Sequence, residues 1–301
     1  MRYTIFLYSL FLFTSSALAG PIFPTRSFIL APKFREKSDT TKGTKFLRQQ
    51  GIWGNLARSF GSEGERSATS ISFGGLIEFV QWENSYISLL GDVEVLADPY
   101  NDISFNPRAI FWTEGFVYGY RFDERELQFG YIHRCRHEID NLDKNTVGTG
   151  ESRNLIYGSL MARLVDRDWT IWGMNWDKWI QMDKYIIRED ARIPSTSERG
   201  KTDINKLDGS LGAGVKIEFL TLGDAKCYFR YNMTLSAYNS FKNISGDSRA
   251  ELGIRLSGDA ATMNIFLGLE EFLDDDLNRP TPTGSKYVYV GFRFIGKNVG
   301  M

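Results

Sequence analysis

The stretch L-G-A-G-V-K-I-E-F at residues 211–219 alternates apolar positions with polar or glycine positions. Its apolar face carries Leu211, Ala213, Val215, Ile217 and Phe219. Its opposite face carries Lys216 and Glu218. A period of two indicates a β-strand, because successive side chains of a strand point to opposite faces. The length of the stretch matches the roughly 9–11 residues that a tilted strand needs to cross the hydrocarbon of a bilayer.

The same alternation recurs along the rest of the chain. It predicts strands near residues 68–81, 85–97, 107–121, 125–137, 152–166, 168–181, 184–193, 208–220, 224–237, 248–257, 261–273 and 285–295. Most of these exceed the roughly 5–6 residues usual in globular sheets. Tight connections such as 121–124 tend to alternate with long ones such as 138–151, as in membrane barrels. We therefore predict an all-β fold, an antiparallel transmembrane β-barrel of about twelve strands.

The segment 168–193 interrupts this pattern and could form two strands or one long bent strand, so the count ranges from eleven to thirteen. Its tryptophans are Trp169, Trp172, Trp176 and Trp179. Their spacing of three, four and three fits an amphipathic helix, whereas their chemistry fits an aromatic girdle at a bilayer interface. We favour the girdle.

The first nineteen residues have the parts of a signal peptide: Arg2, an apolar run at 3–13 and A-L-A at 17–19. Residues 20–66 show no sustained period and are predicted to be a periplasmic lead-in, with one strand or a short helix near 46–59. Residues 67–301 then form the barrel, which we expect in the outer membrane. A soluble periplasmic β-sandwich is the rival architecture, because abundant Phe, Tyr and Gly suit both.

Charged residues on the polar faces of the strands include both signs. The acids are Glu78, Asp92, Glu94, Glu218, Glu251 and Glu270, and the bases are Lys216, Lys226, Arg230, Arg249, Arg255 and Arg293. Buried charges persist when they are paired, so inward-facing charges of both signs predict a narrow lumen and no wide pore. The net charge of −1 gives no reason to expect a nucleic-acid partner, and no motif indicates a cofactor.

The stretch Y-I-H-R-C-R-H-E-I-D-N at residues 131–141 holds both histidines of the chain and one of its two cysteines. A period of two places His133, Cys135 and His137 on one face, predicted to face lipid, where the strand meets a long loop. Side chains two residues apart on a strand start about 6–7 Å apart. A histidine could therefore deprotonate the Cys135 thiol or a water, and Asp140 could orient an imidazole. These four residues are our candidate catalytic site, acting on an acyl ester of an outer-leaflet lipid.

Three other interpretations of this stretch stay open. The histidines and thiol offer nitrogen and sulfur ligands to a metal, although a strand rarely brings all three onto one ion. A disulfide from Cys135 to Cys227 would require two outward-facing cysteines on separate strands to meet. Alternatively the residues only pack, with Arg134 and Arg136 joining the lumen charges. The protein is then a non-enzymatic barrel with a structural, binding or narrow-channel role.

This stretch resembles the His-x-Ser-Ser-His-x-x-Asp segment of a family of uncharacterised bacterial outer-membrane proteins. His133, His137 and Asp140 match that pattern, while Cys135 and Arg136 stand where the family has serines. The looser similarity in strand order runs from about residue 29 to residue 294. The His-x-Ser piece of that segment, where this chain has His133-Arg134-Cys135, is also similar over a few residues to outer-membrane lipid A deacylases, whose site faces the membrane. This resemblance implies outer-membrane lipids as partners.

The stretch Y-V-Y-V-G-F-R-F at residues 287–294 resembles the aromatic terminal strand that the barrel-insertion machinery reads, which implies that machinery as a second partner. The chain departs from that pattern because seven residues follow the last phenylalanine.

Overall fold

The computed structural model describes residues 41–60, 69–98, 106–138, 153–192, 207–238, 240–272 and 286–296. They form a closed antiparallel barrel, in which consecutive strands pair and the first pairs with the last. The strands are β1 (Thr41–Phe60), β2 (Thr69–Glu83), β3 (Ser85–Asp98), β4 (Asn106–Phe122), β5 (Arg125–Glu138), β6 (Arg153–Ile171), β7 (Met174–Arg192), β8 (Leu207–Leu222), β9 (Ala225–Tyr238), β10 (Asn243–Ser257), β11 (Ala261–Phe272) and β12 (Lys286–Gly296). The predicted all-β barrel of twelve strands is confirmed. The described residues include no helix that is long and apolar enough to span a membrane.

The number twelve is right, but two of the predicted strand assignments differ from the structure. β1 begins at Thr41, inside the segment 20–66 that we assigned to a lead-in, so the barrel starts earlier than residue 67. The segment 174–192 is a single strand, whereas the sequence pattern divided it. The predicted signal peptide at 1–19 lies outside the described residues.

The period of β1 is hidden because its outward positions are not uniformly apolar and its inward positions are not uniformly polar. Ile52 is exposed on the outer face, but Arg58 is exposed there as well, and Trp53 is buried on the inner face. The pairing of β1 with β2 also shifts register around Leu47, which has a positive φ of 50°, unusual for a non-glycine residue. The apolar alternation of β1 is therefore weak in the sequence.

The tryptophan-rich segment is a hairpin and not a helix. β6 and β7 are joined by Trp172 and Gly173, which have φ values of 54° and 75°, as a two-residue type I′ turn requires. Trp169 pairs with Trp176 across the hairpin, and Trp172 at its tip is 82% exposed. Trp179 instead contacts Arg163, so the tryptophans do not form one continuous girdle.

The barrel carries apolar side chains outside and polar side chains inside, the reverse of a water-soluble protein. Phe73, Phe116 and Leu269 are 65%, 52% and 58% exposed. In contrast, Arg134 and Arg163 are among the most completely buried large side chains. This inversion is typical of transmembrane barrels, whose outer face meets hydrocarbon and whose inner face is polar.

The strands join by one to three residues at one end of the barrel, which we call the turn end. At the other end, the loop end, the connections run over residues 61–68, 99–105, 139–152, 193–206, 239–242 and 273–285. The N-terminal end of β1 and the C-terminal end of β12 both lie at the turn end, because Thr41 pairs with Glu83 and Gly296 pairs with Ala261. Barrels of the outer membrane keep their short turns on the periplasmic side.

Inside the barrel, the charged residues pair as the sequence predicted. Glu251 accepts from Arg293 through both carboxylate oxygens, at 3.0 and 3.1 Å, and from Arg249 at 2.8 Å. Arg230 approaches the same carboxylate at 3.9 Å. Nearer the turn end, Glu218 pairs with the cations Lys216, Lys226 and Arg255.

A second network lines β2 to β7. Arg121 bridges Glu78 and Glu126 at 3.0 and 3.5 Å. Arg163 donates to Gln181 at 2.8 Å and to Gln128 at 3.3 Å. These pairs, like those of Glu251 and Glu218, join strands no more than two apart in the sheet. The lumen charges therefore tie neighbouring strands together.

We expect Glu251→Ala to destabilise the barrel by about 3–5 kcal/mol, because it leaves several buried guanidinium groups without their counter-charge. Urea unfolding of the reconstituted protein, followed by tryptophan fluorescence, measures this. Asp259→Ala, in the exposed β10–β11 turn, is the control and should stay within about 0.5 kcal/mol of the wild type. Equal unfolding of the two variants would show that Glu251 does not hold the wall together.

We also expect no porin-sized conductance from the purified protein in planar bilayers. Large inner-wall side chains, including Arg134, Arg163, Tyr228 and Tyr289, are almost completely buried, so they leave little open cross-section where they lie. A known porin measured in the same bilayers is the positive control. Stable steps of porin size would overturn the packed-lumen interpretation and make transport the leading function.

Candidate functional site

The structure places three of the four predicted site residues on the outer face of β5. His133 and Cys135 are half-buried, and His137 is exposed. Between them Arg134 points inward, where it donates to Thr113 at 3.1 Å and approaches Glu94 at 3.8 Å. Because the inner partners hold Arg134, alternation directs both of its neighbours outward. Asp140 lies outside the described residues.

The depth of this site follows from its distance along β5. The turn before β5 ends at Glu124, and His133 follows nine residues later. A tilted strand crosses the hydrocarbon in roughly 9–11 residues. Near the turn end, an outward ion-pair cluster joins Asp166 to Lys178 at 3.2 Å and to Arg125 at 3.7 Å. His133 and Cys135 are therefore near the far boundary of the hydrocarbon, on the loop side.

Two residues of β4 complete this outer surface. Glu114 pairs directly with His133, and Trp112 pairs directly with Cys135. Both β4 residues are exposed, and the Trp112 indole N–H donates to Glu114 Oε2 at 3.3 Å. Directly opposed residues have Cβ atoms about 4.5–5.5 Å apart, within reach of a side-chain hydrogen bond. The site is therefore a rectangle of four side chains on two strands.

The sequence prediction missed Glu114 and Trp112, although a signal for them existed. β4 and β5 are joined by the two residues Asp123 and Glu124, so Phe122 pairs with Arg125. The length of a hairpin loop fixes the register of both strands. Reading that register up the hairpin would have placed Glu114 opposite His133.

Glycines border the rectangle. On β3, Gly91 pairs with Glu114, and a Cβ added to it would meet nothing within 4 Å. On β6, Gly158 pairs with His133, and a Cβ there would collide with the Tyr131 hydroxyl. The Tyr131 ring therefore lies over Gly158, while the surface beside Glu114 is open to the surroundings of the barrel.

The metal and disulfide interpretations find no support in the described residues. No group of three His, Cys, Asp or Glu side chains there is arranged to hold a metal ion. Cys135 and Cys227 are both free thiols. They lie on β5 and β9, which are separated by three strands of the sheet. Two cysteines at that separation on the outside of a barrel do not approach disulfide distance.

Comparison with known proteins found likeness in solved structures only. No protein-family model matches the chain, and no curated protein matches it. LpxR from Salmonella typhimurium shares 10% identity at a TM-score of 0.44, over 82% of this chain and 99% of that chain. The outer membrane phospholipase A from Escherichia coli shares 13% at 0.43, over 83% and 93%. An outer membrane channel from Pseudomonas putida F1 shares 10% at 0.44, over 87% and 97%.

Thiol labelling tests the placement of this surface. A maleimide on a polymer too large to cross the outer membrane should label Cys135 on intact cells, in a Cys227→Ser variant. It should label Cys227, two residues from the turn end of β9, only after lysis, in a Cys135→Ser variant. The reverse pattern, with Cys227 labelled on intact cells and Cys135 labelled only after lysis, would contradict the orientation.

Proposed function

We propose that this protein is an outer-membrane barrel whose outer surface hydrolyses an acyl ester of an outer-leaflet lipid. The observation that carries the proposal is the presence of His133 and Cys135 on the outer face of β5, near the loop-side boundary of the hydrocarbon. An imidazole and a thiol side by side at a lipid-facing position are chemically unlike Phe116, Phe129 and Leu160, which are exposed on the same face of β4, β5 and β6. The acyl ester groups of a lipid lie between its chains and its headgroup, which is the same depth.

In the proposed reaction, His133 acts as the general base. It removes a proton from the Cys135 thiol or from a water, and the resulting nucleophile attacks the ester carbonyl carbon. The carbon–oxygen bond to the alcohol then breaks, and the imidazolium returns its proton to the leaving alcohol. With Cys135 as nucleophile, water next cleaves the thioester; either way, one ester and one water give one alcohol and one fatty acid.

The neighbouring residues supply further polar groups. The Tyr131 hydroxyl, beside His133 on the β6 side, is a hydrogen-bond donor on the same face and is suited to the developing oxyanion. His137 is one step nearer the loop and exposed, at the level where headgroups would contact the barrel. The open surface at Gly91 leaves room for an ester to approach the β4 side.

A narrow channel is the competing function, and the packed lumen disfavours it. Tyr228, Tyr289 and the Glu251 cluster fill the inner wall with nearly fully buried side chains. A structural barrel without activity is the other alternative. It assigns no role to polar side chains facing lipid, which are costly there and for that reason uncommon.

Lipid mass spectrometry tests the proposal. We expect vesicles of outer-membrane lipids to release fatty acid when they contain the wild-type protein, and His133→Ala to slow the release on the order of 10²–10⁴-fold, the usual contribution of a general base. Cys135→Ala separates the two nucleophiles, because it abolishes the thioester route and leaves a water route in place.

Asp224→Asn, in the exposed β8–β9 turn, is the matched control and should keep full activity. Heat-modifiable gel mobility and recovery in the membrane fraction verify that each variant is folded and inserted. If cells with and without the protein, or with His133→Ala together with His137→Ala, contain identical outer-leaflet lipids, the hydrolase proposal fails.

A further inference from the structure

We infer that Glu114 is the residue that positions the His133 imidazole, a role for which Asp140 was the candidate from the sequence. The inference deepens the proposed function and rests on it for its catalytic consequence. Its structural part is a carboxylate–imidazole pair between β4 and β5. This part depends only on the register in which the two strands pair, and it can be tested without measuring any reaction.

The first argument is geometric. Glu114 is the direct cross-strand partner of His133, whereas residue 140 follows the end of β5. The pairing of β4 with β5 runs without a register shift from Phe122–Arg125 to Ala109–Glu138. The two side chains therefore leave the sheet side by side on the same face, at a separation that a carboxylate and an imidazole can bridge.

The second argument concerns the chemistry of the outer face of β4. Its outward residues below Glu114 are Phe116, Tyr118 and Tyr120, all exposed large aromatics. Trp112 follows on the loop side of Glu114. A carboxylate inside an aromatic, lipid-facing row carries an energetic cost that falls toward the interface. A cationic or hydrogen-bonding partner offsets that cost, and His133 is the titratable side chain directly beside it.

The third argument is that Glu114 is itself held. The Trp112 indole N–H donates to its Oε2 atom at 3.3 Å. Trp112 is 49% exposed and lies near the loop-side boundary, where indole rings are favoured. A carboxylate fixed through one oxygen can present the other to an imidazole N–H. Such a contact selects one imidazole tautomer and leaves the second ring nitrogen free to accept a proton.

The arrangement assigns a role to each corner of the rectangle. On β5, His133 and Cys135 are the reacting groups. On β4, Glu114 positions the base, and Trp112 holds Glu114 in place. The β4 residues act through His133 and do not themselves contact the ester. Their substitution should therefore lower kcat with little change in KM.

The chain has only two histidines, which makes the pair directly observable. In nitrogen-15 histidine NMR of the full-length protein in lipid nanodiscs, at a pH where both imidazoles are neutral, we expect one tautomer to dominate at His133. Glu114→Gln should convert that signal to a mixture of tautomers and leave His137 unchanged. A His133→Ala spectrum assigns the two signals. If Glu114→Gln leaves the His133 tautomers unchanged, the inference is wrong.

Kinetics provide the second arm of the experiment. Glu114→Gln should lower kcat on the order of 10²-fold through misplacement of the base. Glu114→Asp, which keeps the carboxylate, should recover part of that loss. Trp112→Phe, which removes the N–H and keeps an aromatic ring, should give a smaller decrease, and Asp259→Asn should give none.

The two arms separate failure of the inference from failure of the proposed function. If Glu114→Gln changes the His133 tautomers but the wild type hydrolyses no ester, the Glu114–His133 pair is supported and the hydrolase proposal is wrong. Hydrolysis that persists unchanged in Glu114→Gln would keep the hydrolase and overturn the role of Glu114. Heat-modifiable gel mobility first shows whether each variant is folded. If Glu114→Gln has lost that mobility, the tautomer and kinetic measurements are made on Glu114→Asp instead.

Discussion

The barrel depends on one constraint, the pairing of β1 with β12. Residues Ile52–Phe60 of β1 pair with Val288–Gly296 of β12 and close the sheet. A strand edge in hydrocarbon would leave backbone N–H and C=O groups without partners, and each such group costs several kcal/mol. Closure removes every edge at once. It also fixes which face of each strand is inside, so the positions of both the lumen charges and the outer site follow from it.

The inner and outer faces meet opposite physical demands on the same strand. Arg134 is held inside by Glu94 and Thr113 and stacks on Phe111 at 4.6 Å. The residues before and after it must then lie outside, whatever their chemistry. A barrel can therefore turn an imidazole and a thiol toward lipid only by placing them at outward positions. His133 and Cys135 lie near the boundary, where polar side chains cost less than at the bilayer midplane.

The sequence was sufficient for the fold wherever alternation was unbroken. The stretch at 211–219 lies within β8, and its lysine and glutamate are a lumen ion pair, as the period implied. The lead-in was allowed one strand or a short helix near residues 46–59, and the structure has a strand there, β1. Its place in the barrel was missed because Arg58 is exposed and Trp53 is buried, the opposite of an apolar-out pattern. The division of β7 was wrong because Trp179 and Tyr185 are inward aromatics, which a simple apolar-out rule reads as a break in the pattern.

The site, too, was predicted only in part. The residues that share one strand could be inferred from the sequence, whereas the residue that reaches the site from the neighbouring strand was missed. The shared face of His133, Cys135 and His137 follows from one strand, so it could be inferred from spacing. Glu114 lies 19 residues earlier in the chain, and only the register of the β4–β5 hairpin brings it opposite His133. Chemistry assembled across strands requires that register, and the closed sheet supplies it. If the surface hydrolyses a lipid ester as we propose, a site with no enclosing walls must select its substrate by depth. A bond would then react only where the bilayer holds it at the level of His133, which favours esters at the boundary over bonds within the chains or the headgroup.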